Sequence, residues 1–141
     1  MIMSANTLFV KRFYDEVWNG FNLSVIDDLF ATNYIVNGLP PWRKPGAQGL
    51  KEFITDNHRI FPDIHHEIED MISGEDKVVV RFTASGTQEG DLQGPLGEIP
   101  ATHKKVHWHG ISIFRIESGK IAEVWGISNN LDLMKQLGAI R

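Results

Sequence analysis

Apolar positions recur first at helical spacing and later at strand spacing. From Ser4 to Phe21, Phe9, Phe13 and Val17 fall at i, i+4 and i+8, flanked by Leu8, Val10, Tyr14 and Trp18, while Lys11, Arg12, Asp15 and Glu16 are left for water. That spacing predicts a helix ended by Asn19-Gly20. Leu23–Phe30 predicts a shorter second helix with Ile26, Leu29 and Phe30 inward and Ser24 or Asn22 as cap. Asn33–Asn37 reads as a short strand. Gly38–Gly46 holds three prolines and two glycines in nine residues, so it reads as a loop, with Trp42 inside it. Ala47–Phe61 predicts a third helix, with Leu50, Phe53, Ile54, Phe61 and either Asn57 or His58 along one face.

Past Pro62-Asp63 the period falls to two. Ile64, His66, Ile68, Asp70 and Ile72 alternate along a strand, and Ser73–Asp76 forms a hairpin turn. Lys77–Thr87 is a strong strand with faces Val78/Val80/Phe82/Ala84 and Val79/Arg81/Thr83/Ser85. Gln88–Lys105 is long and rich in glycine and proline, the kind of loop that is functional or mobile in a small domain. Val106–Ile116 and Ile121–Ile127 are strands rich in β-branched and aromatic residues, joined by a turn at Glu117–Lys120 in which Gly119 is free to take positive φ. Asn129 or Asn130 can cap a last helix, with Asp132 in its first turn, Lys135 near its end and Gly138 as its stop. Three helices followed by mostly antiparallel strands predict an α+β fold over residues 1–141 as one domain, with the helices on one face of a curved sheet and a ligand-sized hollow between the layers.

Composition narrows the partners. With 42% hydrophobic and 23% charged residues, a chain of 141 residues is ordered and buries roughly 70% of its unfolded surface. A net charge of −4 argues against nucleic acid or an anionic membrane as the main partner, because both need a basic face. The absence of cysteine removes disulfides, thiolate catalysis and cysteine-ligated metals. The N-terminal stretch has no continuous apolar core and is charged from Lys11 onward. It therefore reads as neither signal peptide nor membrane span, and a cytoplasmic location is the default expectation.

The candidate chemistry is polar side chains on strand faces. His107 and His109 share a strand face with His103 nearby, a pattern that fits a metal, but no carboxylate stands at a compelling spacing, and no metal is expected. If Val106, Trp108, Gly110, Ser112 and Phe114 point inward, Ser112 is the polar group in an apolar wall. The opposite register puts His107, His109, Ile111 and Ile113 there instead, and alternation alone leaves both open. Asn37, His58, Arg81, Thr83 and Gln88 are further candidates, each equally at home as a satisfied polar residue. Glu123 reads as a solvated residue opposite the cavity and Asp132 as a helix-dipole partner. Trp18, Trp42, Trp108 and Trp125 suit either an aromatic pocket or an ordinary core.

FYDEVWNG (Phe13–Gly20), IEDMISGEDKVVVRFTASGT (Ile68–Thr87), IFRIESGKIAEVW (Ile113–Trp125) and LDLMKQLG (Leu131–Gly138) together resemble the SnoaL-like polyketide cyclase (ester cyclase) family, within the nuclear transport factor 2-like fold. The resemblance spans nearly the whole chain. It implies a cone of three helices over a strongly bent antiparallel sheet, a homodimer formed through that sheet, and a cofactor-free acid–base enzyme acting on a small apolar or aromatic metabolite. In the cyclases an Asp near the end of the last strand removes a proton beside a carbonyl, and the carbanion closes a ring by aldol attack.

This chain departs from the family at that point. The family reads W-D-x-x-D or W-x-x-x-D, whereas Trp125-Gly126-Ile127-Ser128-Asn129 puts Gly126 and Asn129 where carboxylates are expected. Ser112 replaces a strand His, and G-T-H-x-G becomes Gly86-Thr87-Gln88-Glu89-Gly90. The resemblance thus implies a pocket lined by Asn37, Trp42, Arg81, Gln88, Trp108 and Gly126 without the usual base. His58, Ser112 and Asn129 remain the groups on which any catalysis would rest. A non-catalytic binding module and a hydrolase or isomerase on the same cone are the alternatives. The hydrolase needs an Asp–Arg–Asp arrangement, for which Arg81 is the one mid-chain strand arginine.

Overall fold

The computed structural model describes residues 4–37, 44–94 and 97–140. Helix α1 (Ala5–Arg12) is capped by Ser4, whose hydroxyl accepts from the Thr7 N–H at 3.1 Å. It continues without a break into a π-helical segment, Phe13–Asn19. The apolar periodicity predicts helix over this stretch but does not distinguish the wider π turn. That turn buries Phe13, Tyr14, Val17 and Trp18 together. Helix α2 (Val25–Leu29) stops one residue earlier than its apolar pattern predicts, because Phe30 is already extended and opens strand β1 (Phe30–Asn37). Helix α3 spans Gly46–Ile60. The predicted loop from Gly38 to Arg43, with Trp42, lies outside the described residues.

Strands β2 (His65–Ser73), β3 (Lys77–Thr87), β6 (Lys105–Glu117) and β7 (Lys120–Ser128) form an antiparallel run, and β1 joins it parallel to β7, in the order β1-β7-β6-β3-β2. The β6–β7 turn has Ser118 at φ 51° and Gly119 at φ 75°, the mirror-image turn whose twist suits a two-residue hairpin. Three register shifts bend the sheet, one in β2 between Ile68 and Asp70, one between Arg115 and Ile116 where β6 meets β7, and one between Phe30 and Ile35 where β1 meets β7. The first corrects the predicted alternation of β2. Ile64 and His66 are buried, but past the extra residue Glu69 the strand inverts, so Asp70 pairs with Arg81 and Ile72 is 66% exposed. The segment Gln88–Lys105 also differs from its expectation as plain loop: it contains a short hairpin, β4 (Leu92–Gly94) with β5 (Gly97–Ile99).

The helices cover one face of the sheet, the concave one. Val10, Phe13, Val17, Ile26, Leu29 and Ile54 pack there against Val78, Val80, Phe114 and Ile121, and each such side chain contributes about 1.5–3 kcal/mol. The face question in β6 is settled by burial: Val106, Trp108 and Phe114 are buried, and His107, His109 and Ile111 are exposed. Phe82 lies across the β6 backbone at Gly110, where an added Cβ would stand 2.4 Å from its ring, so only glycine fits. Helix α4 (Asn130–Gln136) seals the end of β7 and is capped by Asn129. No helix among the described residues is long and apolar enough to cross a membrane.

Candidate functional site

The concave face brings Ser112 of β6 opposite Gly126 of β7. A Cβ added at Gly126 would meet Ser112 Oγ at 3.3 Å and, chain neighbours aside, nothing else within 4 Å among the described residues. Among the described residues the sheet is therefore open on its inner side at this pair. The π-helical segment lowers Tyr14 onto the same place, its ring edge-on to Phe114 at 6.0 Å and its hydroxyl near enough to Ser112 to be influenced by it. Tyr14 is 2% exposed, and burial pushes its phenol far above the usual tyrosine range, against a smaller opposing effect of Ser112. Tyr34 of β1 is pushed up to about 12 by burial. Both phenols hold their protons at neutral pH, so the group beside the opening is a hydrogen-bond donor and not a base.

On the other side of Tyr14 stands His66, which no motif singles out. It is 6% exposed and packed among rings: Trp18 at 4.4 Å, Phe82 at 5.2 Å and Tyr14 at 5.8 Å between centroids. Asn19 grips its backbone from both sides, accepting from the His66 N–H at 2.8 Å and donating to the His66 carbonyl at 3.0 Å. Its Nδ1 has no hydrogen-bond partner among the described residues. Burial, with smaller effects from His65 and His58, pushes the imidazole down to about 3, so it is neutral near pH 7. The signal available in the sequence was a histidine at an inward position of an alternating strand. Tyr14 carried no signal beyond its place beside the helical stripe.

Of the other sequence-predicted residues, Arg81 and Asn129 line one cavity together with Gly126, and the rest are dispersed. Trp108 faces inward and packs on Phe61 at 4.9 Å. His58 sits on α3 with Nε2 2.9 Å from the Trp18 carbonyl and its ring stacked on Phe21 at 3.9 Å. A carbonyl only accepts, so Nε2 carries the proton, and burial lowers the affinity of this ring for a second one. Asn129 is occupied as a cap, its Oδ1 accepting from the Asp132 N–H at 3.2 Å. Asn37 and Arg81 point away from the concave face. Asn37 donates to Glu123 and to the Val124 carbonyl, both at 3.2 Å. Arg81 pairs with Asp70 at 2.7 Å. Gln88 is fully buried and bonded at both ends of its amide. Trp42 lies outside the described residues.

On the convex face His109 Nδ1 is 3.1 Å from the Thr83 hydroxyl. Among the described residues no three His, Asp or Glu side chains converge on a point that could hold a metal ion. A cavity of about 700 Å³ on this face is lined by Arg81, His109, Ile111, Ile113, Trp125 and Ile127, among others. A second, of about 450 Å³, lies between Gly97–Thr102 and the end of α4 at Met134 and Leu137–Ile140.

The sequence profile of the SnoaL-like polyketide cyclases matches residues 9–137. Among solved structures, TsrD from Streptomyces laurentii is 26% identical with a TM-score of 0.87, over 99% of this chain and 99% of that one. A protein from Bacillus cereus assigned as a polyketide cyclase is 32% identical with a TM-score of 0.80, over 96% of this chain and 81% of that one. AclR from Streptomyces galilaeus, assigned as a hydroxylase, shares the fold at 22% identity and a TM-score of 0.82, over 99% of this chain and 100% of that one. No curated protein matches the sequence.

Proposed function

The chain belongs to the SnoaL-like polyketide cyclase family, and from that premise we propose that it binds a small apolar or aromatic metabolite over the concave face, with a ligand oxygen directed at the Tyr14–Ser112 hydroxyl pair. The observation that carries this reading is the space at Gly126, which among the described residues is bordered only by the Ser112 hydroxyl, itself near Tyr14. Hydroxyl donors favour a carbonyl or enol oxygen. They do not remove a proton. Family membership supports a second reading, in which the protein turns its ligand over by proton transfer with another group replacing the carboxylate. His58 is poorly placed for that, since its Nε2 proton is committed to the Trp18 carbonyl.

Incubation with β-keto esters and related polyketide-like compounds, followed by mass spectrometry, separates the two readings. Binding without conversion supports the first, and a ring-closed product supports the second. Substituting Gly126→Asp tests the placement. The added Cβ needs only that the Ser112 hydroxyl rotate aside, so the variant is expected to fold with a Tm within about 3 °C of the parent, a change below about 1 kcal/mol. Loss of soluble expression would mean that the site around Gly126 is closed.

The same reading extends to assembly. Ile35, Ile72, Ile111 and Ile127 are exposed, the last at 79%, and they stand on the convex face together with Trp125. A sheet face this apolar is a poor solvent surface. A second copy of the chain covers it in this proposal. Ile127→Glu is expected to halve the mass measured by light scattering and to leave ligand binding intact. A parent protein that is already monomeric would overturn the dimer.

A further inference from the structure

A buried imidazole nitrogen without a partner asks for an explanation. His66 cannot relieve the deficit by swinging outward, because Asn19 holds its backbone on both sides and Trp18 stacks on its ring. Among the described residues the rings of Tyr14 and Phe82 also pack around it. A phenyl ring would fill the same cage with no unmet polar atom. The segment that carries Tyr14, Trp18 and Asn19 is π-helical, a turn geometry that recurs at functional sites.

We propose that His66 is a specificity residue for the ligand of the concave face, meeting an uncharged oxygen substituent, a hydroxyl or a ketone, on an otherwise flat and apolar molecule. This rests on the reading that a ligand occupies that face. Tyr14 links the two positions, since its ring touches His66 and Phe114 while its hydroxyl reaches Ser112. A ligand lying along Tyr14 presents one oxygen to the hydroxyl pair and another to His66. The aromatic surroundings disfavour a charged substituent, because among the described residues no ion of opposite sign is paired with His66 to compensate it.

The test uses 1,5-dihydroxynaphthalene and 5-hydroxy-1-tetralone, each with two oxygens, against 1-naphthol, which has the same shape class and a single oxygen for the Tyr14–Ser112 pair. Affinities are measured by titration calorimetry or ligand-observed NMR for the full chain and for His66→Phe and His66→Leu. The parent is expected to prefer the two-oxygen probes by about tenfold. In both variants that preference should fall to within about twofold of parity while 1-naphthol still binds. The ¹⁵N shifts of the His66 ring should move with 1,5-dihydroxynaphthalene and stay fixed with 1-naphthol. A preference that survives in the variants, or ring shifts indifferent to the second oxygen, would overturn the assignment of His66 alone. Failure of all three probes to bind the parent would overturn the concave-face pocket, and this inference with it.

Discussion

Lowering the pH from 7.5 to 5.0 is expected to cost the protein about 2 kcal/mol of stability, and His66→Phe is expected to remove most of that loss. Burial pushes the folded-state His66 down to about 3 from an ordinary value of 6.5. The unfolded chain therefore takes up the proton first. Stability contributed by the neutral ring is present above pH 6.5 and is lost as the pH falls from there toward 3, at about 1.4 kcal/mol per unit. The pH range matters, because carboxylates hardly titrate above pH 5. Asp63, which accepts from the Thr87 N–H and hydroxyl, is held lower still.

His58 is shifted in the same direction by partial burial, so a shallower slope will remain in the variant. Urea unfolding at five pH values, with m held common, measures the effect. At pH 7.5 the Phe variant should match or exceed the parent, by up to about 1 kcal/mol, because the orphaned nitrogen is gone and the ring volume is kept. Parallel pH profiles for parent and variant would show that water or a moving side chain already satisfies the imidazole. The prediction needs no ligand, so it checks the burial of His66 independently of its role in binding.

Particular residues show why some of this was legible in the sequence and some was not. Lys77–Thr87 has two chemically distinct faces and folds over the range its pattern predicts. The turn at Ser118-Gly119 and the cap at Asn129 are local events, decided by residues that touch each other along the chain, and both form as expected. Sidedness is not local. Whether Ser112 or Ile111 faces the helices depends on which face the helices cover, and a period of two is silent about that. The bulge at Glu69 defeats pattern reading outright, since Ile72 looks inward by count and is turned outward by one inserted residue. Gly126 and Asn129 were legible as departures from the resembled pattern, but the neighbours around them were not. Tyr14 and His66 come together with Ser112 and Gly126 only because a π turn and a bent sheet converge in space.

Gln88 is the residue whose loss is expected to cost most. Its amide is buried with all four bonding positions filled: Nε2 donates to the Gly90 and Ile99 carbonyls, both at 3.1 Å, and Oε1 accepts from the Thr102 N–H at 3.1 Å and the Thr102 hydroxyl at 2.7 Å. Nothing is left over for a ligand. Those bonds, with the backbone pair Gln88 N–H to Lys104 carbonyl at 3.0 Å, tie the β4–β5 hairpin to the end of β3. Gln88→Ala leaves a cavity and unmet backbone groups, and should destabilise by about 3–4 kcal/mol, or roughly 10 °C in Tm. Gln88→Glu keeps the volume but turns a carboxylate toward two carbonyl oxygens, so it should be no better than Ala. Gln88→His, the residue of the family motif, can supply one donor and one acceptor and should fall between parent and Ala. Equal stability of Glu and parent would mean that the amide is wetted and the knot is not what holds the hairpin. The ordering parent, His, Ala, Glu would place the hydrogen bonds, rather than the side-chain volume, as what keeps this long segment in place beside the pocket.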